Sequence, residues 1–268
     1  SFYGIIIFYH TRERRSTTMA EPAYNRVGIV GVPPRAIIRR LNTDGTEILD
    51  LDALLVRTDI ERATAHLPKV YCAILRTVVL NAISLDLDAI FIDTGPGKCD
   101  GALHVAHILE DILDIPVIRT RNQDDEGVGY PLCQADMNLT EKFLRITEGV
   151  KNADPEPANL PPCQPTAGFW GVPPRDFSIL ELFPPTTHVY GWTRCMENKT
   201  PADLALECQY DPTVPTVFFA QSFCAKTALA QHLARQHPQA LYLDVDVTPS
   251  SSTRAKIQAF LELSGAHR

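Results

Sequence analysis

The sequence predicts an α/β protein built as two related three-layer lobes with mostly parallel sheets. Three observations carry this. Short apolar runs alternate with stretches of helical period, the mark of βαβ units. Five prolines crowd between Asp154 and Pro165 and interrupt the chain near its middle, because proline suits neither a helix interior nor a central strand. The text Gly31-Val-Pro-Pro-Arg35 returns 140 residues later as Gly171-Val-Pro-Pro-Arg175, which predicts an internal duplication and a pseudo-two-fold.

Residues 1–23 read as an extension outside the lobes. Their apolar run, 2–9, precedes Arg12, Arg14 and Arg15, the reverse of a signal peptide. Either Met19 is the natural start and 1–18 is upstream read-through, or the segment is a disordered arm. The first lobe, 24–150, is expected to hold strands at 27–30, 53–56, 89–92 and 116–118. Its helices are expected at 70–85, 102–113 and 139–148. Residues 151–167 form the proline-rich linker. The second lobe, 168–268, restarts at Gly168-Phe169-Trp170, with strands at 188–191, 216–220 and 240–245 and helices at 222–236 and 252–263. Right-handed crossovers then give Rossmann-like lobes, with a ligand cleft at the carboxyl ends of the strands.

A second internal match aligns Cys72-Ala73, whose helix leads to Ile90-Phe-Ile-Asp93, with Cys224-Ala225, whose helix leads to Leu241-Tyr-Leu-Asp244. Cysteine placement is the main chemical signal. A strand end that runs into a helix N-terminus stabilises an anion, including a thiolate. Cys99, Cys133, Cys195 and Cys224 lie in or near such places, and Cys163 lies at the seam between the halves. Cys72 and Cys208 read as packing residues. Thiolates from separate loops (Cys99, Cys133, Cys163, Cys195 and Cys224) predict a [4Fe–4S] cluster or another soft-metal site. No CxxC pair is present. Ordinary small core cysteines are the alternative for each position, and Cys224 and Cys99 are the candidate catalytic thiols.

Gly95, Gly97 and Lys98 form a glycine-rich turn before a helix, a possible phosphate or carboxylate cradle or simply a tight turn. Arg35 and Arg175 are the expected paired positive charges of the cleft, with surface arginines as the alternative. Arg194 and Lys226 are expected to depress the thiols of Cys195 and Cys224. Asp93, Asp244 and Asp246 end strands, where they orient a base, bind metal or cap a turn. His104 and His107 fit amphipathic packing, 124–126 a solvated loop or lid, and Trp170 and Trp192 domain packing.

The chain has 268 residues, 45% hydrophobic, with 25 Lys+Arg against 32 Asp+Glu, a net charge of −7. That balance argues against sequence-independent nucleic-acid binding. No apolar run reaches the ~18–20 residues of a membrane span. Seven cysteines, an odd number, predict reduced thiols and a cytoplasmic setting. A small anionic ligand is the expected partner, with an oligomer or protein partner also open.

Three resemblances follow from these residues. The text from Cys163 to Ala202, with Gly168-Phe-Trp-Gly-Val-Pro-Pro174 and Gly191-Trp-Thr-Arg-Cys195, resembles uncharacterised cysteine-containing proteins of methanogenic archaea, implying an archaeal, methanogenesis-associated setting. In layout the chain is similar to two-lobed aspartate/glutamate racemases, in which each half gives one cysteine at a helix N-terminus, here Cys72 and Cys224. That family follows its first cysteine with Asn-Thr, where this chain has Ala73-Ile74. The layout is also similar to quinolinate-synthase-like and diphthamide-synthesis proteins, which hold one cluster with single cysteines from repeated units. The leading expectation is an iron–sulfur or soft-metal enzyme or maturation protein with a cysteine-lined cleft. The alternatives are a metal-free cysteine-dependent, racemase-like enzyme on a small carboxylate and a non-catalytic anion- or partner-binding protein.

Overall fold

The computed structural model describes residues 23–154 and 160–266. The expectations for the N-terminal extension and for linker residues 155–159 lie outside these residues. Two four-stranded, all-parallel sheets form the frame. The first contains β1 (Arg26–Val30), β2 (Glu47–Asp50), β3 (Ala89–Asp93) and β4 (Val117–Thr120) in the order β2-β1-β3-β4. The second contains β5 (Ala167–Gly171), β6 (Thr187–Tyr190), β7 (Thr216–Gln221) and β8 (Ala240–Val245) in the order β6-β5-β7-β8. The central strands are apolar runs such as Ala-Ile-Phe-Ile and Thr-Val-Phe-Phe-Ala, as burial on both faces demands.

The helices are α1 (Arg35–Thr43), α2 (Ala73–Ser84), α3 (Asp100–Ile112), α4 (Pro131–Gln134), α5 (Leu139–Gly149), α6 (Trp192–Asn198), α7 (Leu204–Glu207), α8 (Thr227–Gln236) and α9 (Ser251–Leu263). Two 3₁₀ turns, Ile60–Ala65 and Phe177–Leu182, complete the described elements. The predicted strand at 53–56 is absent. Its place is taken by β2, because the Asn81 amide donates to the carbonyls of Leu51 and Ala53 and ties that segment to α2 instead of a ladder. Nine of the twelve residues of α2 are buried, the pattern of a helix covered on most sides. On its second-lobe side, Thr77 accepts a bond from Arg175 Nε at 2.9 Å.

Alternation along the strands sorts the side chains into layers. Val27, Ile29, Ala89 and Phe91 of the first sheet share one core with Phe169, Val217 and Phe219 of the second. Helix α5 follows the first sheet in sequence yet enters this shared core. Phe143 meets Phe169 edge-on at 5.1 Å, and the Lys142 ammonium donates to the Thr187 carbonyl. On the outer faces, Val30, Ile90 and Ile92 pack with α2 and α3, while Trp170 and Phe218 pack with α8. Each large apolar side chain removed from water in this way contributes about 1.5–3 kcal/mol.

Candidate functional site

The site lies at the carboxyl ends of β3 and β7, where the chain leaves each sheet's third-ranked strand for a helix. After Asp93, the loop 94–98 brings Cys99 to the N-cap of α3. After Gln221, Ser222 and Phe223 lead to Cys224, and α8 begins three residues later. The registers Val30↔Ile92 and Gly171↔Phe219 set Gly31 at the level of Asp93 and Gly171 at that of Phe219. Cys99 and Cys224 follow those levels by six and five residues, so Cys99 is the counterpart of Cys224. This corrects the alignment of Cys72 with Cys224. The helix opened by Cys72 leads into the central strand β3, whereas α8 leads into the edge strand β8.

Cys72, Cys99 and Cys224 nonetheless line one pocket of about 510 Å³. Tyr71, Thr227, Asp100 and Asp244 supply its polar wall, and Leu75 and Phe223 its apolar wall. The Tyr71 hydroxyl and Cys99 Sγ both crowd Gly101, lying 3.3 and 3.4 Å from where a β-carbon would stand. Cys224 packs against the apolar cluster that contains Cys72, and each thiol shifts the titration of the other. The influence of the Cys72 thiol, with help from the Lys226 amide and ammonium, pulls the Cys224 thiol down to about 7 against the opposing effects of burial and Glu207. The same mutual influence and burial push Cys72 well up. The pair therefore carries its negative charge on Cys224. Phe223 just before it has φ 62 and is 54% exposed, a strained left-handed conformation costing about 1–3 kcal/mol for a bulky residue.

Two lysines brace the loops. Lys98 Nζ and Lys226 Nζ each lie 4.4 Å from the centre of the Trp192 ring. Lys226 also donates to the buried Glu207 carboxylate at 2.6 Å. Lys98 crosses over Gly31, whose φ of 75 and lack of a side chain admit it; a β-carbon there would stand 1.9 Å from Nζ. Burial lowers the Lys98 pKa, opposed by the charges of Asp52 and Asp93. Asp93 is fully buried; its Oδ1 accepts from the amides of Gly95 and Asn122. Lys98 is thus a neutralising and bracing group in the loop that leads to Cys99.

The remaining expected site residues lie elsewhere or act differently. Gly95 packs against the backbone of Asn122, and Gly97 (φ 79) meets the carbonyl of Pro201, so the glycine turn is a seat for the second lobe. Arg35 bonds Asp154 and the Glu126 carbonyl, while Arg175 bonds Thr77; the two arginines have different partners. Cys133 is buried, with its amide on Glu197, and its thiol is pushed up by burial and that carboxylate. Cys163 lies 3.7 Å from His188 Nε2, and burial raises its thiol. Cys195 donates to the Asp203 carbonyl at 3.6 Å, and burial pushes it up to about 12 despite Arg194 and Lys226. Arg194 itself stacks on Tyr130 at 3.7 Å.

Among the described residues no group of three or more His, Cys, Asp or Glu side chains could hold a metal ion. Cys133, Cys163 and Cys195 do not line the pocket and have other partners. Cys72 is the site residue that sequence reasoning set aside as packing. Its signal was the Cys-Ala step at the start of a helix, shared with Cys224. Compared with protein-family models and with curated proteins, the sequence matches none.

Proposed function

We propose that the protein is a cysteine-dependent enzyme of racemase or isomerase type acting on a small carboxylate. The observation that carries this reading is a pocket lined by three thiols, one of them, Cys224, held near neutrality by a partner thiol. The Cys224 thiolate takes a proton from the carbon next to the carboxylate. The electron pair passes into the carboxylate as an enediolate, and the Cys99 thiol returns a proton to the same carbon, so no net oxidation occurs. The Cys72 thiol holds the charge on Cys224. The N-terminal ends of α3 and α8 reach the pocket through Gly101 and Thr227, and their helix dipoles favour the anionic end of the substrate. All seven cysteines are unpaired, which supports a reducing, cytoplasm-like setting.

The test incubates the protein in D₂O with a panel of small amino, hydroxy and dicarboxylic acids and follows hydrogen at the α-carbon by NMR. Catalysed exchange with inversion is expected, and inversion is lost in C224S. Exchange and inversion undiminished in C224S, or no exchange with any acid of the panel, overturns the reading.

A further inference from the structure

We infer that Cys72 and Cys224 are a site of reversible oxidative modification, joined as an inter-lobe disulfide when the protein meets a hydroperoxide. The two thiols meet at the boundary between the lobes: Cys72 caps α2 of the first, Cys224 precedes α8 of the second, and Cys224 packs against the apolar cluster that contains Cys72. Both line the pocket, so a small oxidant has a route to them. Cys99 is placed differently, beside the Tyr71 hydroxyl at Gly101. A thiolate in an open pocket beside a second thiol is the arrangement in which a sulfenic acid is resolved to a disulfide. Charge on Cys224 makes it the attacking sulfur.

The chemistry balances. The Cys224 thiolate attacks the outer oxygen of the peroxide, the O–O bond breaks, and protonation yields a sulfenic acid and water (or an alcohol). Cys72 sulfur then displaces the sulfenic hydroxyl; the S–S bond forms, the S–O bond breaks, and the Cys72 proton leaves with hydroxide as water. Two thiols are oxidised and one peroxide is reduced. A dithiol reductant reverses the bond by exchange. The disulfide removes both the charged sulfur and the thiol that holds its charge, so the modified pocket has no thiolate base. The modification needs only the thiol pair, whereas its effect on turnover rests on the function proposed above.

The experiment treats the full chain with hydrogen peroxide, blocks free thiols, and maps tryptic peptides without reduction. The expected product links peptide 70–76 to peptide 200–226, with fragmentation placing the bond on Cys224 and not Cys208. It disappears on dithiothreitol treatment, survives in C99S, and is replaced in C72S by a dimedone-reactive sulfenic acid at Cys224. A Cys224 found only as sulfinic or sulfonic acid, or cross-linked to Cys99, overturns the inference. Deuterium exchange is measured on the same samples. Cross-linking without exchange activity in the reduced protein removes the proposed function alone, and exchange activity without cross-linking removes this inference alone.

Discussion

The two lobes share a strand order and differ in what fills the carboxyl ends of their central strands. In the first lobe the level of Gly31 is occupied by Asp93, with Asp50, Asp52 and Lys98 nearby, a charged and partly buried cluster. In the second lobe the same level is occupied by Phe219, stacked on Phe169 at 5.6 Å. The segment before the third-ranked strand differs too. The first lobe places α2 there, with Cys72 at its start. The second places α6 and α7, with Cys195 packed away. A parallel sheet requires apolar strand interiors but leaves the strand ends free, so one layout supports two unlike walls. The charged wall carries two thiols and the aromatic wall carries the thiolate.

The largest expected effect separates the two walls by chemistry. In C224S the rate of inversion falls by about 10²–10⁴-fold. In C99S inversion stops while hydrogen exchange at the face of Cys224 persists; equal loss of both signals in C99S would break the assignment of opposite roles.

Exchanging the strand-end residues comes next. Phe219→Asp buries a carboxylate with no lysine over it and costs about 3–5 kcal/mol in chemical denaturation. Asp93→Asn costs about 1 kcal/mol, because an amide oxygen still accepts from Gly95 and Asn122. Equal losses would mean that the two ends are interchangeable. A smaller contrast lies in the matched glycines. Gly171→Ala forces a β-carbon to 2.4 Å from the Phe219 carbonyl, which is backbone and cannot yield, whereas at Gly31 the obstacle is the movable Lys98 ammonium. Thermal unfolding should show a loss of about 3 kcal/mol for the first and about 1 kcal/mol for the second.

The smallest effect is a pH shift. Cys72→Ala removes the thiol that lowers Cys224, so the midpoint of Cys224 alkylation rises from about 7 toward the ordinary thiol range. The rate at pH 7 then falls roughly five-fold. The stability term has a fixed sign. A thiol depressed in the folded state contributes stability above its unfolded pKa, and loses it as pH falls through about 7. Denaturation midpoints of the native chain should therefore decline through that window, and those of Cys72→Ala should decline less.

Much of this was legible along the chain. Apolar runs at 27–30, 89–92, 216–220 and 240–245 marked strands because burial on both faces leaves little room for polar residues. The repeated Gly-Val-Pro-Pro-Arg text marked the ends of β1 and β5, since Gly31 and Gly171 both sit at positive φ beside a crowding neighbour. The strand β2 was missed because Glu47 to Asp50 is short and lies at a sheet edge, where polar side chains are tolerated. The helix α1 was missed because its nine residues bury only Ile38 and Leu41.

Local sequence by itself determined the α/β class, the two parallel sheets and the loops that carry Cys99 and Cys224. Periodicity and turn chemistry act over a few residues and can be read there. Which sulfur meets which was decided by tertiary structure alone. Cys72 and Cys224 stand 152 residues apart in the chain and meet only because α2 is wedged against the second lobe. Cys133 and Cys195 lie within the short helices α4 and α6 and Cys163 lies in the linker, and their partners are Glu197 (to the Cys133 amide), Asp203 and His188. A thiol's charge depends on the donors and water around it, and those neighbours come from distant segments that only the packed core brings together.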